Sequence, residues 1–117
     1  SDIARETGRT IGVIGHAGDG NMHPTVIFDP ADEAAKAAAY DAFNAILALG
    51  LKLGGTITGE HGVGSLKPGW LEREIGPVSM RLHRTIKRAL DPLGIFNPGK
   101  VFGLDGDPLP TPDPAAR

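Results

Sequence analysis

Residues 1–9 are mostly polar and read as the end of an incoming helix or a linker. The pattern then becomes that of a strand over Thr10-Ile11-Gly12-Val13-Ile14-Gly15, with a return strand over residues 22–28. Between them the chain centres on Asp19-Gly20, a strong hairpin turn pair. Pro24 lacks a ladder donor and predicts an edge or a bulge in the return strand.

From Asp29-Pro30 the apolar period lengthens to that of a helix. Asp29 stands as N-cap, Pro30 at the first helical position, and Asp32 and Glu33 in the first turn. Tyr40, Phe43, Leu47 and Leu51 form one apolar stripe, and Gly54-Gly55 predicts the stop after about Leu53. Thr56-Ile57-Thr58 reads as a third short strand, and Gly59 to Gly64 as a loop too rich in glycine for a helix interior. A short helix over 66–75 and a firmer one from Pro77 follow, the latter with Val78, Leu82, Ile86 and Leu90 on one face. Asp91-Pro92 ends it, and 95–101 is rich in turn residues. The order strand, strand, helix, strand, helix predicts an α+β sandwich: a small antiparallel sheet with helices on one face.

Composition changes this picture in three ways. The chain has 117 residues, room for one domain, with 17 Gly and 10 Pro. Five glycines lie in residues 8–20 and seven in residues 50–69, so the glycine is local punctuation and not low complexity. The prolines crowd the end, where 104–117 holds Pro108, Pro110, Pro112 and Pro114 and is expected to be a disordered tail behind a domain of residues 1–103. A net charge of −2 argues against nucleic acid as a partner. With no cysteine, disulfides, thiolate zinc sites and thiol nucleophiles are excluded. No apolar run is long enough for a transmembrane helix.

Three of the four histidines lie in or beside the glycine windows. A hairpin centred between Asp19 and Gly20 sets His16 opposite His23, with Cβ atoms about 4.5–5.5 Å apart on one face. Two imidazoles so placed can share a metal ion, since a Zn–N bond is about 2.0–2.1 Å. Asp19 and Asn21 also read simply as turn residues. In Gly59-Glu60-His61-Gly62, adjacent side chains on extended backbone point apart, which suits one ligand and one free acid/base group. His16, His23 and Glu60 then make a two-histidine, one-carboxylate set with open positions, the pattern of a catalytic metal. His61 becomes the candidate general base, imidazole being the side chain that takes a proton near neutral pH. A solvated glycine loop with incidental charges is the competing reading. Trp70 reads as a core or interface anchor, His83 as part of a solvated face with Arg81, Arg84, Lys87 and Arg88, and Asn97-Pro98-Gly99-Lys100 as a turn.

Taken in order, Gly15-His16-Ala17-Gly18-Asp19-Gly20-Asn21-Met22-His23-Pro24, Gly59-Glu60-His61-Gly62-Val63-Gly64 and Asn97-Pro98-Gly99-Lys100 closely resemble the C-terminal part of FAD-linked 2-hydroxyacid oxidoreductases. These are the D-lactate dehydrogenases, the glycolate oxidase D subunit and the D-2-hydroxyglutarate dehydrogenases, of the vanillyl-alcohol-oxidase type. The resemblance covers roughly residues 8–103. It implies a partial ferredoxin-like cap (substrate) domain in which His16, His23 and Glu60 hold zinc or manganese and His61 serves as base. The substrate hydride would pass to FAD. Asn21 is a substrate-side candidate. So is Thr25, which stands where the hydroxyglutarate members carry a substrate-binding Asn; this favours glycolate or D-lactate. Asn97 and Lys100 are implied as cofactor contacts.

The resemblance also implies a missing FAD-binding domain or subunit, so this chain alone is expected to be inactive, and its open sheet edge to promote association with itself or a partner. It places the full complex in the cytoplasm, peripheral to the inner membrane. A flavin-independent metal-binding or interaction module, and a stand-alone iron enzyme on the same two-histidine, one-carboxylate set, are the competing functions.

Overall fold

A computed structural model describes residues 2–102. They fall into two units, 2–54 and 55–102. The expected tail over 104–117 lies outside the described residues.

In the first unit a short helix α1 (Asp2–Thr7) leads into β1 (Thr10–His16), which pairs antiparallel with β2 (Asn21–Ile27). The turn between them holds four residues. It is closed by the Gly20 amide donating to the His16 carbonyl at 2.9 Å, with Gly20 at φ 77°, which glycine adopts without steric cost. Asp19 Oδ1 accepts from the Asn21 amide at 3.1 Å, an Asx turn. The hairpin centre therefore falls between Gly18 and Asp19, one residue earlier than expected, and each partner shifts by two: His16 faces Asn21, and Ile14 faces His23. A slip of two keeps every side chain on its expected face, because the pleat repeats every two residues.

Helix α2 spans Glu33–Lys52. Its N-cap is Asp32, whose carboxylate accepts from the Ala34 and Ala35 amides; Asp29 instead accepts from Ala31 and organises the turn ahead of it. The predicted stripe is only partly the buried face. Leu47 is buried, Phe43 and Leu51 are half-buried and Tyr40 is exposed, while Ala35, Ala39 and Ala42 supply the rest. The small alanines let α2 pack against both α1 and β2.

The second unit begins with irregular chain over 55–67. Thr56-Ile57-Thr58 forms no strand. Ile57 is buried and its amide donates to Glu74 Oε2 at 3.0 Å, so a side chain takes the place of a neighbouring strand. The predicted short and long helices join as α3 (Pro68–Leu90), interrupted at Gly76 (φ 76°, ψ 166°) just before Pro77. Its core is Ile57, Pro68, Trp70 and Met80, with the Arg73 guanidinium 4.4 Å from the Trp70 ring centre. Trp70 is thus a core anchor. The fold class is α+β, a two-stranded antiparallel sheet with helices.

Candidate functional site

The hairpin places four of the candidate residues on one face. In the observed register His16, Asn21, His23 and Thr25 all project to the same side, and Thr25 lies opposite Gly12, where no side chain intrudes. The His16 and His23 rings approach to 5.3 Å between centres and meet edge to face. They are diagonal neighbours, not direct partners, yet the imidazoles bridge the offset. Gly15 makes this closeness possible. A Cβ there would lie 2.9 Å from the Met22 Cα and press still closer on the Asn21 carbonyl oxygen.

Asp19 contributes more than a turn. Its second carboxylate oxygen lies 3.8 Å from His16 Nδ1. At that separation the carboxylate stands beside the ring without a hydrogen bond between them. The sequence signal was available, since Asp19 sits three residues after His16.

In the second unit the Glu60–His61 pair departs from expectation. The loop is turned and not extended: the Gly62 amide donates to the Gly59 carbonyl at 3.1 Å, and Gly62 sits at φ 72°. The two side chains therefore converge, with His61 Nε2 3.7 Å from Glu60 Oε1. The expectation that they point apart fails because the backbone is turned, and one Glu60 oxygen lies beside the imidazole.

The closing segment is held to that loop by the Val101 amide, which donates to the Gly64 carbonyl at 2.8 Å. Asn97 (φ 49°) and Lys100 lie on a cavity of about 200 Å³ together with Arg84, Lys87, Arg88 and Asp91. Asp91 is the hub that sequence reasoning passed over as a helix stop. It is buried, accepts from the Ile95 and Phe96 amides at 3.0 Å each, and pairs with Lys87, whose ammonium also donates to the Phe96 carbonyl at 2.6 Å. The Lys87 ammonium, above all, holds the Asp91 carboxyl below its ordinary range, against the opposing effect of burial. Arg84 and Lys87 are consequently half-buried and not part of a solvated face, and Arg84 reaches Glu72 at 3.5 Å. His83 Nδ1 donates to the Ser79 carbonyl at 2.8 Å. Lys67, whose ammonium lies 3.4 Å from Thr58 Oγ1, is pushed below its usual range by burial.

Comparison with known proteins settles the kinship. Residues 1–101 match the family described as FAD linked oxidases, C-terminal domain. The chain belongs to that family. It is 42% identical over 105 residues to glycolate oxidase subunit GlcD of Bacillus subtilis, covering 90% of this chain and 22% of that protein. It is 44% identical over 90 residues to the mitochondrial D-lactate dehydrogenase [cytochrome] of Arabidopsis thaliana, covering 77% of this chain and 16% of that protein. The Escherichia coli glycolate oxidase subunit GlcD is 40% identical over 85 residues, covering 73% of this chain and 17% of its own length. The chain thus spans about a fifth of the length of these relatives. No helix among the described residues is long and apolar enough to cross a membrane.

Proposed function

We infer that this chain is the metal-bearing portion of a flavin-dependent 2-hydroxyacid dehydrogenase acting on glycolate or D-lactate. The observation that carries the reading is the hairpin face, where two imidazoles with rings 5.3 Å apart stand beside Asn21 and Thr25. Two imidazole nitrogens suit zinc, a carboxylate oxygen beside them accommodates the harder manganese, and His16 and His23 with Glu60 would hold either. The chemistry such an ion supplies is Lewis-acid polarisation of a bound oxygen. His61, oriented by the adjacent Glu60 carboxylate, takes the proton from the substrate hydroxyl. Asn21 and Thr25 offer an amide and a hydroxyl to hold the substrate's polar oxygens on the same face as the two histidines.

FAD is the cofactor that the family name carries, and the residues present do not fit it as a whole. The cavity beside Asn97 and Lys100, about 200 Å³, is smaller than the 300–1,000 Å³ of ordinary cofactor pockets. Those two residues would touch an edge of the flavin nucleotide, and the remaining contacts belong to the rest of a longer polypeptide or a partner subunit. The chain alone is accordingly inactive in this reading, and the complete enzyme works in the cytoplasm, peripheral to the inner membrane.

The test uses the whole native polypeptide that contains this chain. His61→Ala should abolish turnover of glycolate and D-lactate while leaving metal content, measured by mass spectrometry, unchanged. His16→Ala and His23→Ala should lose both. Near-normal turnover of the His61 variant overturns the base assignment. Full metal content in both hairpin variants overturns the ligand assignment.

A further inference from the structure

Helix α3 is amphipathic the wrong way round. Beyond Gly76, the apolar residues Val78, Leu82, Ile86 and Leu90 recur every fourth position and span about 120° of the helix circumference. They are 69%, 60%, 50% and 75% exposed. The opposite side carries Met80, fully buried, with Arg84 and Lys87 half-buried against Glu72 and Asp91. A helix packed on a core by its apolar period would turn its leucine and isoleucine side inward; here buried Met80 and the polar contacts beside it hold the other side in place, and the apolar ridge faces outward.

We propose that the Val78–Leu82–Ile86–Leu90 ridge is the seat of an apolar, carboxylate-rimmed surface on the part of the longer polypeptide outside residues 1–117. Two observations select this occupant. The stretch from Pro77 to Leu90 holds Arg81, Arg84, Lys87 and Arg88 and no acidic residue. A second copy laid antiparallel along the ridge would set Arg81 of each copy beside Arg88 of the other, whereas a surface edged with Asp or Glu matches them. The ridge is also narrow. Stable association of separate proteins buries about 800 Å² on each side, more than four side chains on one helix face supply. Covalent linkage removes that requirement by raising the effective concentration, and the relatives devote 78–84% of their length to sequence outside the matched region. The proposal stands apart from the metal site, so either can fail without the other.

The experiment is thiol accessibility in the whole native polypeptide. The chain has no cysteine, so Leu82→Cys and Ile86→Cys, made singly, report on the ridge through alkylation of the peptide that contains them. Each should react at least tenfold more slowly in the native protein than in denaturant, at every protein concentration and without lipid. Arg81→Glu combined with Arg88→Glu should raise the native labelling rate at Leu82→Cys by loosening the rim. Native rates equal to the denatured rates overturn the proposal. Protection that disappears on dilution identifies a second copy as occupant, and protection that needs anionic lipid vesicles identifies a membrane surface; either outcome also overturns it.

Discussion

Gly15→Ala is the sharpest probe of the histidine hairpin. Gly15 pairs with Met22, one residue away from each histidine along its strand. An added Cβ would meet the Met22 Cα at 2.9 Å and the Asn21 carbonyl oxygen closer still, both backbone atoms that cannot rotate away; the third neighbour, Met22 Sδ at 3.0 Å, can. The strands must part locally, and overpacking of this kind costs about 1–3 kcal/mol. If zinc binding requires the two imidazoles to stay together, the same energy appears as a loss of affinity of roughly 5- to 150-fold. Gly12→Ala and Gly18→Ala are the controls, since a Cβ at either meets nothing within 4 Å. They should stay within about 0.5 kcal/mol of the parent, the usual range for an unencumbered surface change. Zinc titration by calorimetry, with thermal unfolding in parallel, reads all three. A Gly15 variant that binds zinc and melts like the two controls would refute the claim that backbone closeness at this position builds the site.

Two further outcomes follow from the second unit. Because the Asp91 carboxyl sits below its ordinary range when folded, chiefly through Lys87, its contribution is fully present above the unfolded value near 3.9 and is lost as pH falls through the folded value. Asp91→Asn should therefore lower the melting temperature by a constant margin from pH 7 to about pH 5, and the gap to the parent should shrink below about pH 4; a gap that persists unchanged to pH 2 contradicts the Lys87–Asp91 account. Gly76→Ala meets no neighbour within 4 Å, but at φ 76° and ψ 166° it would force a side chain into backbone space that glycine nearly monopolises, at about 1–3 kcal/mol. Denaturant unfolding should show a lower midpoint with unchanged slope, and an unchanged midpoint would show that the interruption of α3 is dispensable.

Much of the first unit was legible because its signals are local. The alternation in β1, the Asp-Gly turn and the stop at Gly54 each depend on a few consecutive residues, and both strands and the end of α2 appeared within a residue or two of their predicted places, while the start of α2 came three residues later. The errors have physical causes of their own. Asp29 and Asp32 are equally good acceptors three residues apart, and the cap went to the one followed directly by the helix. The stripe of large residues in α2 was credited over the alanines, although close packing favours the smaller ones. Thr56-Ile57-Thr58 has strand-forming residues, but a strand needs a partner, and the local partner is a single carboxylate from Glu74, seventeen residues on. The histidine face survived a wrong register only because the error was two residues. A slip of one would have sent His23 to the other side.

The exposed ridge on α3 and the placement of the histidines express the same division of labour. A two-stranded ribbon is marginal by itself and gains independent stability only from packing on something else. Here β2 packs on α2, and the alanine face of α2 lets the two approach closely. That contact supports the strand that carries His23. In the second unit Met80 is buried in the apolar core while the Arg84–Glu72 and Lys87–Asp91 pairs flank it on the same side of α3, which leaves Val78, Leu82, Ile86 and Leu90 outward. Period alone assigns Val78, Leu82, Ile86 and Leu90 to a core, and that assignment is sound for a helix whose buried partner is apolar. It fails within residues 2–102 because the side of α3 that is buried there is the one carrying Met80, Arg84 and Lys87. The exposed apolar period of α3 and the paired imidazoles of the hairpin are thus the two observations on which the proposed docking face and the proposed ion site rest.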